Sequence, residues 1–223
     1  MTTIHPIKLS ISNCFLVEGD AKILVDTGSP GEGKKILRAL DRLGVSLSDI
    51  TLILHTHGHT DHCGSTVELL RERKIPTAIH SADSYRIESG KNGLIKTTRL
   101  MGDIIKPFVD KPFPAFKADI RLDDRNDLSE FGINGLIHHT PGHTDGSISI
   151  EFDNAEAIIG DVIMGGYLGG TFFPHLPDYH YFADDLEEIG RSIRKLMDTT
   201  ADRFHVGHGG PLKRGLIEKR FRL

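Results

Sequence analysis

Residues 55–62 read His55-Thr56-His57-Gly58-His59-Thr60-Asp61-His62, and they follow directly on the apolar run Ile50-Thr-Leu-Ile-Leu54. A run with no regular polar alternation is the pattern of a strand covered on both faces, so the histidines begin where a buried strand ends. His57 and His59 are two positions apart. On a helix they would point about 200° apart, whereas on extended chain both face one side. They share a metal ion only if the segment is extended. Asp61 and His62 are adjacent and must diverge, which lets the same turn serve a second ion; paired catalytic metals lie roughly 3.5 to 4 Å apart. One short loop thus offers four ligands to two ions.

Upstream, Ile7–Ile11, Cys14–Glu18 and Lys22–Val25 are short β-prone runs parted by Ser-Asn and Gly-Asp turn signals. The third stops at Asp26-Thr-Gly-Ser-Pro-Gly. Ile36, Leu37, Leu40 and Leu43 then recur at helical spacing, with Pro30 to open the helix and Gly44 to end it. Downstream a helix is expected over about 64–73, a strand over 77–79 and a helical stretch from Ala82. Residues 90–117 read as an inserted flap: Leu94, Ile95, Leu100, Met101, Ile104 and Ile105 suit a helix, and Pro107, Pro112 and Pro114 break the chain beyond them. Strands resume near Ile120 and over 133–138, 147–152 and 157–159, followed by a helix over 182–197 and a strand over 203–206. Strand meanders in both halves, each followed by helices, predict two sheets packed face to face with helices outside. No repeat or low-complexity linker divides the chain, so residues 1–223 are read as one domain.

Three further ligand candidates sit at strand-to-loop junctions beside glycine, where the backbone bends easily. They are His143 in Thr140-Pro-Gly-His-Thr-Asp-Gly, Asp161 in Ile159-Gly-Asp, and His208 in Val206-Gly-His-Gly. The 55–62 segment carries the HxHxDH signature, and with these motifs in this order nearly the whole chain resembles the metallo-β-lactamase superfamily. The resemblance implies an α/β (α+β) fold, a four-layer αββα sandwich with the metals at one edge of the sheets. Carried over by position, it puts His57, His59 and His143 on the first metal and Asp61, His62 and His208 on the second, with Asp161 bridging. Asp26 takes the place of the family's supporting acid, which orients ligands through hydrogen bonds.

Two divalent ions against Asp61, Asp161 and a bridging hydroxide leave a net positive centre. Such a centre polarises a carbonyl and makes hydroxide available near neutral pH. The expected reaction is hydroxide attack on an ester-like carbonyl, with Asp61 as the catalytic residue that orients the nucleophile. Zinc is the expected metal; imidazole and carboxylate also suit iron or manganese.

The composition is that of an ordinary globular protein: 223 residues, 38% hydrophobic and 26% charged. A net charge of −4 gives no basic excess for nucleic acid or anionic lipid, and no apolar stretch approaches the ~20 residues of a membrane helix. The expected partner is a small-molecule substrate and the expected location cytoplasmic. Cys14 and Cys63 are too few for a disulfide framework, and Cys63, beside the ligand loop, is read as a packing residue. Of the 13 histidines, the eight outside the ligand set are read as structural or exposed, with His175 and His180 the two to watch.

The glycine-rich run from Ile163 to His175 and the flap are placed to line a substrate pocket, with Tyr167, His175 and Lys213 as substrate-binding candidates. The ligand set resembles that of glyoxalase II and implies a small thioester as substrate. Lactonases of the superfamily share the site and use a tyrosine beyond the bridging aspartate, for which Tyr167 stands. A non-haem iron persulfide dioxygenase is the alternative from another class, and it would leave Asp61, His62 and His208 partly idle.

Overall fold

The computed structural model describes residues 1–123 and 127–223. Six strands make the first sheet in chain order: β1 (Thr3–Lys8), β2 (Asn13–Glu18), β3 (Lys22–Val25), β4 (Ile50–Leu54), β5 (Thr77–His80) and β6 (Ile120–Leu122). The first three pair antiparallel and β3 through β6 parallel. The second sheet runs β13 (Leu212–Lys213), β12 (Arg203–His205), β9 (Glu156–Ile158), β8 (Ile148–Phe152) and β7 (Gly135–His139). β1 begins earlier than the apolar run suggests and contains Pro6. It is an edge strand, where a residue without an N–H is tolerated.

The central strands β2 and β3 are apolar on both faces, and the two-residue period sorts the side chains. On β2 and β3, Phe15, Val17, Ile23 and Val25 point inward and meet Ile137, Ile148, Ile150 and Ile158 of the second sheet. Leu16 and Leu24, on the opposite face, pack with Ile36 and Leu40 of α1 (Gly33–Arg42) and with Leu69. Beyond the second sheet, Ala157, Ile159 and Phe204 pack against α6 (Leu186–Met197) and α7 (Arg214–Phe221). The order is helix, sheet, sheet, helix, as the resemblance implied. Each fully buried Leu, Ile or Phe stabilises this stack by about 1.5 to 3 kcal/mol.

Between α1 and α6 lie α2 (Thr60–Cys63), α3 (Thr66–Glu72), α4 (Ser84–Ser89) and α5 (Leu100–Val109). The helix expected over about 64–73 is α3, and a further helical turn, α2, precedes it inside the histidine run. α6 starts at Leu186 rather than 182, because the Asp185 carboxylate accepts from Glu187 N and Glu188 N and caps it there. The glycine-rich segment after Asp161 is an antiparallel hairpin, β10 (Met164–Tyr167) and β11 (Phe172–Asp178). In the flap, α5 carries Pro107 in its last turn, where the missing N–H costs one bond and the helix ends two residues on.

Candidate metal centre

The ligand loop leaves β4 and is caught at once by Asp26. Thr56 N and Thr56 Oγ1 donate to its two carboxylate oxygens, each at 2.8 Å. His59 has extended backbone (φ −85°, ψ 158°) and precedes α2. His57 and His59 therefore lie before the helix, while Asp61 and His62 lie in its turn, which is how adjacent residues diverge. His143 lies in the loop between β7 and β8, Asp161 just beyond β9 and His208 just beyond β12. Gly207 makes room for the convergence: a Cβ there would stand 2.0 Å from Asp161 Oδ1 and 2.6 Å from His62 Cε1.

Asp161 Oδ2 is the hub. His208 Nε2 is 3.2 Å from it, His62 Nε2 3.4 Å, His143 Nε2 3.6 Å and His57 Nε2 3.9 Å. Asp61 Oδ2 is 3.3 Å from His208 Nε2, and His59 Nδ1 is 2.9 Å from His143 Nε2. Two groups that could hold an ion are His57, His59, His143 and Asp61, His62, His208, their donor atoms within 4.8 Å of one another. Asp161 stands between them. All seven sequence-selected ligands thus come together in one place.

Three of the rings are aimed by the outer nitrogen. His62 Nδ1 donates to Asp26 Oδ2 at 2.8 Å, His143 Nδ1 to Phe182 O at 3.0 Å and His208 Nδ1 to Ile11 O at 2.6 Å. These acceptors fix a hydrogen on the outer nitrogen and leave the inner one facing the centre. Inside, the buried His57 Nε2, His62 Nε2, His208 Nε2 and Asp161 Oδ1 have no hydrogen-bond partner. Orphaned buried polar atoms are rare, and here they converge, which is the arrangement a metal needs. Burial pushes His59 and His143 down to about 3, so these rings are neutral, as ligation requires. His62 and His208 go the other way: burial alone lowers them, but the charges of Asp161 with Asp26, and of Asp161 with Asp61, raise both, His208 to about 10. The buried carboxylates call for positive charge at this spot.

Asp83, which no spacing in the sequence singled out, ties the loops together. It accepts from Gly58 N at 2.7 Å, Thr144 Oγ1 at 2.7 Å and Gly146 N at 3.1 Å, and pairs with buried Arg86 at 3.2 Å. Arg86 reaches on to Asp184 at 2.8 Å and to the Asn92 carbonyl, while Asn92 Oδ1 accepts from Thr60 N at 2.7 Å. Cys63 Sγ donates to His57 O at 3.2 Å, and burial pushes its thiol well up, which suits packing rather than attack.

A cavity of about 280 Å³ opens over the ligands. The flap contributes Asn92, Ile95, Ile105, Phe108 and Val109, and the 163–182 segment contributes Met164, Leu168, Gly169, His180, Tyr181 and Phe182. Tyr167, His175 and Lys213 do not line it. Tyr167 is half exposed on the hairpin, His175 Nδ1 donates to Pro211 O at 3.0 Å, and Lys213 is exposed on β13. His180 does line it, with Nε2 3.4 Å from Asp161 Oδ2, and it is buried to 8% exposure. No motif spacing marks it, since neighbouring ligand loops, not local sequence, bring it in. Other histidines serve structure, as in the His205–Glu156 pair at 2.9 Å and the His138–Glu151 pair at 3.0 Å.

The family model for the metallo-beta-lactamase superfamily matches residues 7–208. A protein of Methanocaldococcus jannaschii named "Probable metallo-hydrolase" is 30% identical over 203 residues, 89% of this chain and 87% of its own length. The hydroxyacylglutathione hydrolase of Haemophilus influenzae is 30% identical over 213 residues, 92% of this chain and 89% of its own. Among solved structures, a protein crystallised in a di-iron-bound form superposes with a TM-score of 0.71 at 25% identity, covering 97% of this chain and 98% of that one. A B3 metallo-beta-lactamase superposes with a TM-score of 0.73 at 22% identity, covering 98% and 97%.

Proposed function

The chain belongs to the metallo-β-lactamase superfamily and is a metal-dependent hydrolase; on that footing we propose that it uses two ions, with zinc as the metal, to cleave a small thioester bearing an apolar acyl group. The observation that carries the two-metal reading is the ring of inward, unpartnered donors around Asp161 Oδ2. His57, His59 and His143 hold one ion and Asp61, His62 and His208 the other, with Asp161 between. Ions bound there supply Lewis acidity and draw the pKa of water toward about 7.

The chain's own groups do the rest. Asp61 borders the cavity and accepts a hydrogen bond from the attacking water, fixing its approach. Ile95, Ile105, Val109 and Met164 take the acyl group and keep other water out. Water adds to the carbonyl, the C–S bond breaks, and the products are an acid and a thiol. No lysine or arginine is among the residues lining the cavity, which favours an uncharged acyl portion.

Elemental analysis of the purified protein is expected to give close to two equivalents of metal per chain. Thioesters with apolar acyl groups should then be hydrolysed faster than lactone, phosphodiester or β-lactam substrates. A single iron with oxygen uptake on a persulfide would overturn the proposal.

A further inference from the structure

We infer that His180 is a substrate-contacting hydrogen-bond donor, its Nε2–H directed at the carbonyl oxygen of the bound ester; the substrate half of this rests on the proposed thioester hydrolysis. By position alone His180 looks like one more ligand, because His143, Asp161 and His180 together could hold an ion. The hydrogen bonding distinguishes it. In His62, His143 and His208 the outer Nδ1 faces an oxygen that can only accept, so that nitrogen holds a hydrogen and the inner one is left for a ligand. In His180 the Nδ1 lies 3.2 Å from the backbone N–H of Phe182, which can only donate.

A hydrogen on that Nδ1 would face the amide hydrogen. The Phe182 carbonyl, also 3.2 Å from Nδ1, already has a donor in His143 Nδ1 at 3.0 Å, whereas His180 Nδ1 is the acceptor that the buried Phe182 amide finds among the described residues, and a hydrogen on Nδ1 would leave that amide unpaired. Nδ1 is therefore the acceptor, and the ring's single hydrogen sits on Nε2, toward the cavity. A nitrogen that carries hydrogen cannot ligate a metal but can donate to an oxygen beside one.

Of the other neutral polar side chains on the cavity wall, Asn92 is engaged elsewhere, and Tyr181 holds the hairpin backbone while keeping its hydroxyl hydrogen to donate. Asn92 accepts from Thr60 N and donates to Asp110, and the Tyr181 hydroxyl accepts from Leu168 N at 3.3 Å. His180 Nε2 has only Asp161 Oδ2, a long 3.4 Å away. The rings of Tyr181 and Phe182 lie beside it, with centroids at 6.3 and 5.7 Å, so the donor acts where little water competes. Such a donor is worth most when the carbonyl oxygen takes on negative charge.

Two measurements test this independently. Two-bond ¹H–¹⁵N correlation spectra of the metal-free and zinc-loaded protein should show His180 with hydrogen on Nε2 and a bare Nδ1; hydrogen on Nδ1 overturns the inference, whatever the substrate. His180→Phe should keep two equivalents of metal and lose about 10²-fold in kcat with KM little changed. His180→Gln, which retains an N–H donor, should recover most of that loss. Loss of one metal equivalent in His180→Phe would make His180 a ligand, and an unchanged kcat would leave it no contact with the reacting oxygen; either result overturns the proposal. A wild-type enzyme that cleaves no ester would sink the substrate reading alone, and the spectra would still decide the donor.

Discussion

Gly207→Ala adds one carbon at the most crowded point of the ligand ring. Its Cβ would stand 2.0 Å from Asp161 Oδ1 and 2.6 Å from His62 Cε1. Non-bonded carbon and oxygen need at least about 3 Å, so the carboxylate must move by about 1 Å. Metal–ligand distances tolerate about 0.2 Å, so the displacement breaks the bridge between the two ligand groups. The expected outcome is loss of at least one metal equivalent, with overpacking costing about 1 to 3 kcal/mol in the metal-free protein. For a chain of this length each kcal/mol lowers Tm by roughly 2 to 4 °C.

The assay is metal content by elemental analysis, with thermal unfolding of the metal-free variant beside it. Gly215→Ala is the control: it lies in α7, where an added Cβ meets nothing within 4 Å, and it should stabilise by up to about 1 kcal/mol with full metal content. Gly207 is not in the left-handed region, so backbone strain does not confound the comparison. A Gly207→Ala protein with two equivalents and wild-type stability would refute the reasoning.

Asp26→Asn removes the carboxylate that holds His62 and Thr56 and should weaken the second ion about 10- to 100-fold in chelator competition. Asp83→Ala leaves the buried Arg86 with Asp184 as its one remaining carboxylate and takes the acceptor from Gly58 N and Gly146 N, and should cost about 3 to 5 kcal/mol in denaturant unfolding; adding Arg86→Met should return part of it. Asp178 joins Arg99 at 2.8 Å and Arg220 at 2.6 Å, and although burial alone raises its carboxyl, these two bonds outweigh it and hold it low. A depressed folded pKa stabilises above the unfolded value of about 3.9 and loses that contribution as pH falls through the folded one. The acid limb of a Tm-against-pH curve should therefore flatten in Asp178→Asn, and an unchanged limb would contradict the pairing.

Much of the centre was legible in the sequence because its signals are local. The two-residue step from His57 to His59 and the adjacency of Asp61 and His62 imply their own geometry, and glycine marks His143, Asp161 and His208 as junction residues. Asp83 and Arg86 carry no such mark, since their partners Thr144 and Asp184 lie 61 and 98 positions away. The β10–β11 hairpin was unreadable for a different reason. Gly165 and Gly170 look like breakers, yet a Cβ on Gly165 would meet Gly210 N at 2.5 Å, and one on Gly170 would meet Gly209 Cα at 2.2 Å. They are glycines because the hairpin lies flat on the loop bearing His208, and that contact has no local pattern. Tyr167, His175 and Lys213 were chosen by position along the chain, and the turn of the hairpin and the end of the second sheet carry them away from the cavity.

The Asp83 carboxylate reaches loops from both halves of the chain, at Gly58 and at Thr144–Gly146, and is none of the seven ligands. The loops bearing His57, His59 and His143 are thus joined by bonds within the protein that need no ion. Uptake should consequently proceed at the rate of ion dehydration and entry, with a small heat-capacity change and no slow ordering phase. Exchange of one divalent ion for another would then depend on what the cell supplies rather than on refolding.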